Sequence, residues 1–201
     1  MILVGVTGPI ASGKSTVCKV FSEMGALLVD VDEMGHKVLQ EDSLRGKLLS
    51  YFGDCVLDCN DKIDRMEIAN IVFNNQEALE FLEGLSHPLI IDKLKIRIKR
   101  LRDSGFPGVA VLDAAMLPRW PDILSELNYL LLVKSPMWQR TNRLVQDRGY
   151  PEKHCEKRME SQEHLFEKLT PQIDYIIKNN GDLYELRAKA IKAWLDIKKT
   201  L

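Results

Sequence analysis

No apolar run in the sequence approaches the roughly 18 residues that a helical membrane span needs. Nor is there a Gly/Ser-rich linker, a low-complexity tract or an internal repeat, which argues against tethered modules and solenoids. Surplus charge is missing as well: 28 Lys and Arg face 29 Asp and Glu, for a net charge of −1. That balance speaks against a polyanion-binding surface, and so against nucleic acid or a charged membrane as partner. Cysteine is scarce, with four residues (Cys18, Cys55, Cys59 and Cys155). They are too few and too scattered for a disulfide framework. Cys55 and Cys59 lack the second Cys or His pair that would complete a zinc site, and are expected in a surface loop. Met1-Ile2-Leu3-Val4 enters an apolar stretch without the charged n-region of a signal peptide, so a cytoplasmic location is expected.

What the sequence has is the ordinary composition of a globular protein, 45% hydrophobic and 28% charged over 201 residues. That length suits one α/β domain with a sizeable core. Short apolar runs at 2–7, 26–29, 108–113, 129–133 and 174–178 alternate with longer helical patterns. The alternation predicts βαβ units and a five-stranded parallel sheet flanked by helices. Between the second and third runs lie about 80 residues of mainly helical pattern, too long for a simple crossover. Asp42 or Ser43, Asp64 and Asn75 are candidate helix caps within it. A polar, charge-rich stretch at 138–166 reads as a lid or a solvated helix pair. The organisation expected is a single domain: a core of 1–32, 104–137 and 167–201, a helical acceptor-binding insert over about 33–103, and a lid over about 138–166.

The first apolar run leads into Gly8-Pro9-Ile10-Ala11-Ser12-Gly13-Lys14-Ser15-Thr16, followed by a helical pattern with Val17, Val20 and Phe21 facing inward. Strand, G-x-x-x-x-G-K-[ST], helix is the order of a phosphate-binding Walker A loop. The residue types follow from the task. Glycines let the backbone turn so that successive N–H groups face phosphate oxygens, and the helix N-terminus adds its positive dipole end. Lys14 brings a point charge to the β- and γ-phosphates of ATP, and the Ser15 hydroxyl is a ligand for Mg²⁺. There is no N-K-x-D motif to read guanine, and the chain is short for a motor or helicase. Small-molecule and nucleotide kinases remain, together with non-catalytic nucleotide switches.

Val29-Asp30-Val31-Asp32 follows the second strand. Residues at the carboxyl ends of strands border the ligand crevice in an open parallel sheet. An Asp there can orient an acceptor hydroxyl and take its proton late in transfer. Either Asp can also cap the next helix, and the two readings coexist. Gly108-Val109-Ala110-Val111-Leu112-Asp113 ends as a Walker B-like strand, whose Asp113 would hold Mg²⁺ opposite Ser15.

Gly8 to Thr16, Asp30-Val31-Asp32, Asp64-Arg65, Ile71-Val72-Phe73, His87-Pro88, Asp113 and Asn179-Asn180-Gly181, in this order, resemble the dephospho-CoA kinase family from residue 2 to about 187. The Walker A part is generic; the D-x-D, D-R and H-P elements are more specific. The resemblance implies a P-loop, nucleotide-kinase-like core with ATP and dephospho-CoA as substrates and Mg²⁺ as cofactor. It implies phosphorylation of the ribose 3′-hydroxyl, the last step of coenzyme A synthesis. It makes Asp32 the catalytic base and assigns Arg65 and His87 to the acceptor. It assigns Asn179 to ATP, beside Gly8, Ala11, Ser12, Gly13, Lys14, Ser15 and Thr16.

Two departures stand out. Where the family has a Pro and a Leu pair soon after the Walker B-like Asp, this chain reads Asp113-Ala114-Ala115-Met116-Leu117-Pro118. In the lid, Gln139, Arg140, Arg143, Asp147, Arg148 and Gly149 admit more than one register, while Arg158 and Gln162 match the family's R-x-x-x-Q. Arg140, as a catalytic cation, and Arg148, as an ATP contact, are the lid arginines chosen. The basic run Lys93, Lys95, Arg97, Lys99, Arg100 and Arg102 reads as a solvated helix face. Spacing alone makes His87 an extended boundary residue before Pro88, and Trp120, Trp138 and Trp194 packing residues. A monomer is the default expectation. The rivals are another small-molecule or nucleotide kinase, and an ATP-binding regulator without catalysis.

Overall fold

The computed structural model describes residues 1–72, 74–148, 159, 165–166 and 172–200 and, of Asp147 and Arg148, the backbone alone. Phe73, Gly149, Arg158, Gln162 and the Arg148 side chain lie outside the described residues.

The chain divides into two compact units, Met1–Asp30 with Lys99–Leu201, and Val31–Ile98. The first holds a parallel sheet of five strands: β1 (Ile2–Thr7), β2 (Leu27–Asp30), β3 (Val109–Asp113), β4 (Tyr129–Lys134) and β5 (Tyr175–Lys178). Each lies within one residue of the run read from the sequence. The order is β2-β3-β1-β4-β5, so β1 is the central strand, with β3 and then β2 on one side and β4 and then β5 on the other. In such a sheet the ligand crevice opens at the carboxyl ends of the strands, where the order reverses. β1 and β3 are buried at every position, as expected for strands covered on both faces.

Helix α1 (Lys14–Glu23) and the C-terminal helix, named α8 below (Leu183–Lys198), share one core cluster with the strands. Phe21 and Trp194 meet with ring centroids 5.4 Å apart. Asp182 caps α8, its carboxylate accepting the Glu185 N–H at 2.9 Å. Side chains also extend the sheet at its entry edge. Asn128 accepts the Leu3 N–H at 2.8 Å, and Asp174 accepts the Leu130 N–H at 2.7 Å. α6 (Pro121–Leu124) and α7 (Met137–Arg148) flank β4 in sequence.

The second unit is helical: α2 (Val31–Val38), α3 (Asp42–Phe52), α4 (Arg65–Val72) and most of α5 (Gln76–Asp103). Asp64 caps α4 through the Met66 N–H at 2.8 Å, and Asn75 caps α5 through the Ala78 N–H at 3.1 Å. The expected caps of α3 are corrected. Glu41 occupies the cap position without a side-chain bond, and Asp42 is already helical, where it acts on the dipole. His87 is also corrected: α5 runs unbroken through Pro88, so His87 is helical rather than extended. Proline removes one N–H from a helix of 28 residues, and the bonds around it outweigh the preference of the preceding residue. Cys55 lies in a single 3₁₀ turn (Asp54–Val56), and Cys55 and Cys59 are both exposed and free.

The tryptophans differ from expectation at one position. Trp120 and Trp194 are 4% and 2% exposed, whereas Trp138, at 64%, is a surface residue of α7. Trp194→Ala is therefore expected to destabilise the chain by about 3–5 kcal/mol, the usual cost of emptying an aromatic site. Trp138→Ala should stay within about 0.5 kcal/mol. Urea midpoints of both variants check this, and comparable losses would contradict the packing described.

Candidate active site

β1 ends at Thr7, and the loop from Gly8 to Gly13 carries the chain into α1. Two glycines in it are required by space. A Cβ on Gly8 would collide with the Val133 carbonyl oxygen of β4. Gly13 has φ 100°, and a Cβ there would lie 2.5 Å from the Asn179 amide nitrogen. Ala11 adopts φ 59° although it carries a Cβ, a left-handed conformation that costs an L-residue about 1–2 kcal/mol. Within the loop the Ser12 N–H bonds to the Pro9 carbonyl at 3.1 Å. Gly13 is the N-cap of α1, and no acidic residue offsets the helix dipole in the first turn. The Ser12 hydroxyl, 1% exposed, finds no hydrogen-bond partner among the described residues.

The loop is also held from behind. The Asn179 side chain, buried just beyond β5, donates to the Ser12 carbonyl at 2.8 Å. Its own N–H bonds to the Lys134 carbonyl at 2.7 Å. Across a trans peptide the C=O of one residue and the N–H of the next point in opposite directions. With the Ser12 carbonyl turned toward Asn179, the Gly13 N–H is turned the other way, as anion binding by a loop requires.

Lys14 forms an ion pair with Asp113 at the end of β3, both side chains about 10% exposed. Asp30 is the register partner of Asp113 on β2, so two carboxylates end neighbouring strands. Beneath them, one helical turn after Lys14, lies Cys18 at 1% exposure. Burial, then the negative charge of Asp113 and a hydrogen bond to it, holds its thiol well above the ordinary range, so it stays protonated. Cys18 does not stand out in the sequence. Its place four residues after the Walker lysine, on the inward face of α1, is the signal that finds it.

Ser15 is exposed at the start of α1, and with Asp113 it offers one hydroxyl and one carboxylate. That donor set fits Mg²⁺, which takes one or two carboxylates and completes its shell with phosphate oxygens and water. Among the described residues no cluster of three or more His, Cys, Asp or Glu forms a fuller cage. Beyond Asp113 the chain departs from the resemblance without losing support. The Ala114 N–H bonds to the Val6 carbonyl at 3.2 Å, and the Ala115 carbonyl accepts the Thr7 hydroxyl at 3.1 Å.

β2 stops at Asp30 and α2 begins at Val31, so Asp30 and Asp32 do not share a face of one extended strand. Asp32 lies in the first turn of α2, exposed, with Glu33 beside it. Glu33 pairs with His36 at 3.2 Å. That hydrogen bond, then the charges of Lys37, His36 and Arg65, holds its carboxyl below the usual range. The helical unit thus brings Arg65, the first residue of α4, into electrostatic reach of the residue next to Asp32. His87 is half-buried on α5.

Two of the arginines on α7 are fixed in different ways. Arg140 is 2% exposed, its Nε donating to the Ser135 carbonyl at 3.1 Å. Arg143, which the sequence left behind Arg140 and Arg148, donates to the Ala11 carbonyl at 2.9 Å.

Residues 2–185 match the dephospho-CoA kinase family model. A dephospho-CoA kinase of Dehalococcoides mccartyi is 32% identical over 94% of this chain and 93% of its own length. Among solved structures, the dephospho-CoA kinase of Campylobacter jejuni superposes with a TM-score of 0.71 at 27% identity, covering 98% of each chain. A shikimate kinase of Acinetobacter baumannii, at 14% identity and a TM-score of 0.54 over 100% of this chain and 94% of its own, shares the fold alone. A phosphate-cradling loop at the end of the central strand, in a chain matched almost throughout by one family's model, leads to one assignment: this protein belongs to the dephospho-CoA kinase family.

Proposed function

We propose that the chain transfers the γ-phosphoryl group of ATP to the ribose 3′-hydroxyl of dephospho-CoA, giving coenzyme A and ADP. The observation that carries this reading is the pairing of Lys14, on the phosphate loop, with Asp113 at the neighbouring strand end, in a chain that the family model covers from 2 to 185. Gly8, Ala11, Ser12, Gly13, Ser15 and Thr16 line the ATP phosphates, and Lys14 exchanges its carboxylate partner for phosphate oxygens. Mg²⁺, held through Ser15 and Asp113, supplies charge neutralisation at the β- and γ-oxygens. Asp32 orients the acceptor hydroxyl for in-line attack. A carboxylate is too weak a base to keep an alkoxide waiting, so its proton uptake accompanies transfer. Arg65 and His87 bind the acceptor. Arg140 is the cation that offsets charge on the transferring group, and Arg148 contacts ATP. In the same reading the stretch 33–103 is the acceptor-binding insert and 138–166 the lid. The enzyme acts as a cytoplasmic monomer, and no described helix is long and apolar enough to cross a membrane.

Lys14→Met keeps the length of the side chain and removes its charge. Turnover is expected to fall at least about 10²–10³-fold, as for other lost transition-state donors, with an unchanged far-UV spectrum. Near wild-type turnover would remove the basis of the assignment.

Acceptor choice tests the rest. The kcat/KM for dephospho-CoA should exceed those for AMP, dCMP and adenosine; a higher value for any of these would leave a kinase of another specificity. Asp32→Asn should lower kcat by roughly 10²–10⁴ with little change in ATP affinity, and Asp30→Asn should cost less. Equal, small losses in the two variants would leave both residues a structural role at the start of α2, Asp30 just before it and Asp32 within its first turn.

A further inference from the structure

Ala11 is the one described residue of the phosphate loop that carries a Cβ and sits at positive φ. Such a residue persists only where its surroundings over-determine it. Its carbonyl is held by Arg143 Nη1 at 2.9 Å, and the same nitrogen donates to the Ser135 hydroxyl at 3.1 Å. Nη2 reaches the Gln139 carboxamide oxygen at 3.5 Å, which also accepts the Ser135 hydroxyl at 3.1 Å. Gln139 in turn donates to the Asn180 carbonyl at 2.8 Å. Asn179, the preceding residue, holds the next loop carbonyl, that of Ser12. Two consecutive carbonyls are therefore gripped from two elements, α7 and the segment after β5, and Ser135 and Gln139 tie the grips together.

We infer that Arg143 is a positioning residue of this kinase: it secures ATP binding by fixing the Ala11 carbonyl in the left-handed turn, not by touching the transferred phosphoryl group. A planar fork with several donors suits a carbonyl, a hydroxyl and a carboxamide at once, which an ammonium group does not. At the loop itself the contact is with the Ala11 carbonyl oxygen. Loosening it lets Ala11 relax toward negative φ, which opens the turn closed by the Ser12 N–H on the Pro9 carbonyl and shifts the next peptide, whose Gly13 N–H faces the phosphate side. The loss then falls on nucleotide affinity, in the ground state and the transition state alike, and turnover at saturating ATP is largely kept.

This inference rests on the kinase reading, and its test needs no acceptor. Titration calorimetry of Mg²⁺-ADP against the wild-type chain comes first; absence of binding there would fail the kinase reading itself. Arg143→Met is expected to weaken ADP binding about tenfold, in line with one lost charge-assisted hydrogen bond. It should raise KM for ATP in proportion, slow turnover less than about threefold and leave the acceptor KM unchanged. Arg143→Lys, which keeps the charge and one donor, should recover most of the ADP affinity. Thermal melts accompany both variants, and Arg143→Lys carries the comparison if Arg143→Met does not fold, with a loss of about threefold expected. Unchanged ADP affinity in the variants overturns the inference. So does turnover slowed about a hundredfold or more with ADP affinity intact, because that places Arg143 on the transferring phosphoryl.

Discussion

A loop that offers its N–H groups to an anion must have its carbonyls taken care of on the other side. Peptide planarity enforces this, because turning one group inward turns its neighbour outward. The structure meets that constraint at Ser12, whose carbonyl Asn179 takes, and Arg143 holds the preceding carbonyl, that of Ala11, in the turn closed by the Ser12 N–H on Pro9. Much of the sheet unit follows from it. β4 lies close enough to exclude a side chain at Gly8, and the segment after β5 close enough to exclude one at Gly13. α1 and α8 share the core beneath.

Charge at the site is arranged around the same loop. Lys14 would be costly to bury alone, and Asp113 compensates it. In the reaction proposed above, nucleotide binding would be an exchange of partners, phosphate for carboxylate, and Asp113 would be released for the cation that comes with the phosphates. Cys18 belongs to this arrangement as a neutral donor. Deep burial and the nearby Asp113 keep its thiol protonated, so it satisfies the carboxylate from below without adding a charge.

The strands and the phosphate loop are legible in the sequence because both rest on local rules. An apolar run buried on both faces looks the same wherever it pairs, and G-x-x-x-x-G-K-[ST] is nearly its own structure. Asp64 and Asn75 are legible as caps for the same reason. What stays hidden depends on partners far along the chain. Arg140 and Arg143 have the same chemistry and lie three residues apart, yet one is buried against Ser135 and the other reaches Ala11, 132 positions away. His87 departs from its expected extended form because the preference of a residue before proline is weaker than 28 residues of continuous helix. Trp138 departs from its expected packing role because size does not ensure burial; its side chain is exposed on α7.

The bond from Asn179 to Ser12 spans 167 positions, and it has a consequence for the order in which the protein is made. The phosphate loop leaves the ribosome 167 residues ahead of this support. At about 5–20 residues per second the two are separated by roughly 10–30 s of synthesis. Through that interval β1 can form without its full set of neighbours, but the Ser12 carbonyl has no Asn179 to accept from, and β5 is not yet there to close the edge of the sheet. Nucleotide binding is thus a late acquisition of the nascent chain, and a truncated product that ends before residue 179 lacks the means to hold ATP as the finished chain does.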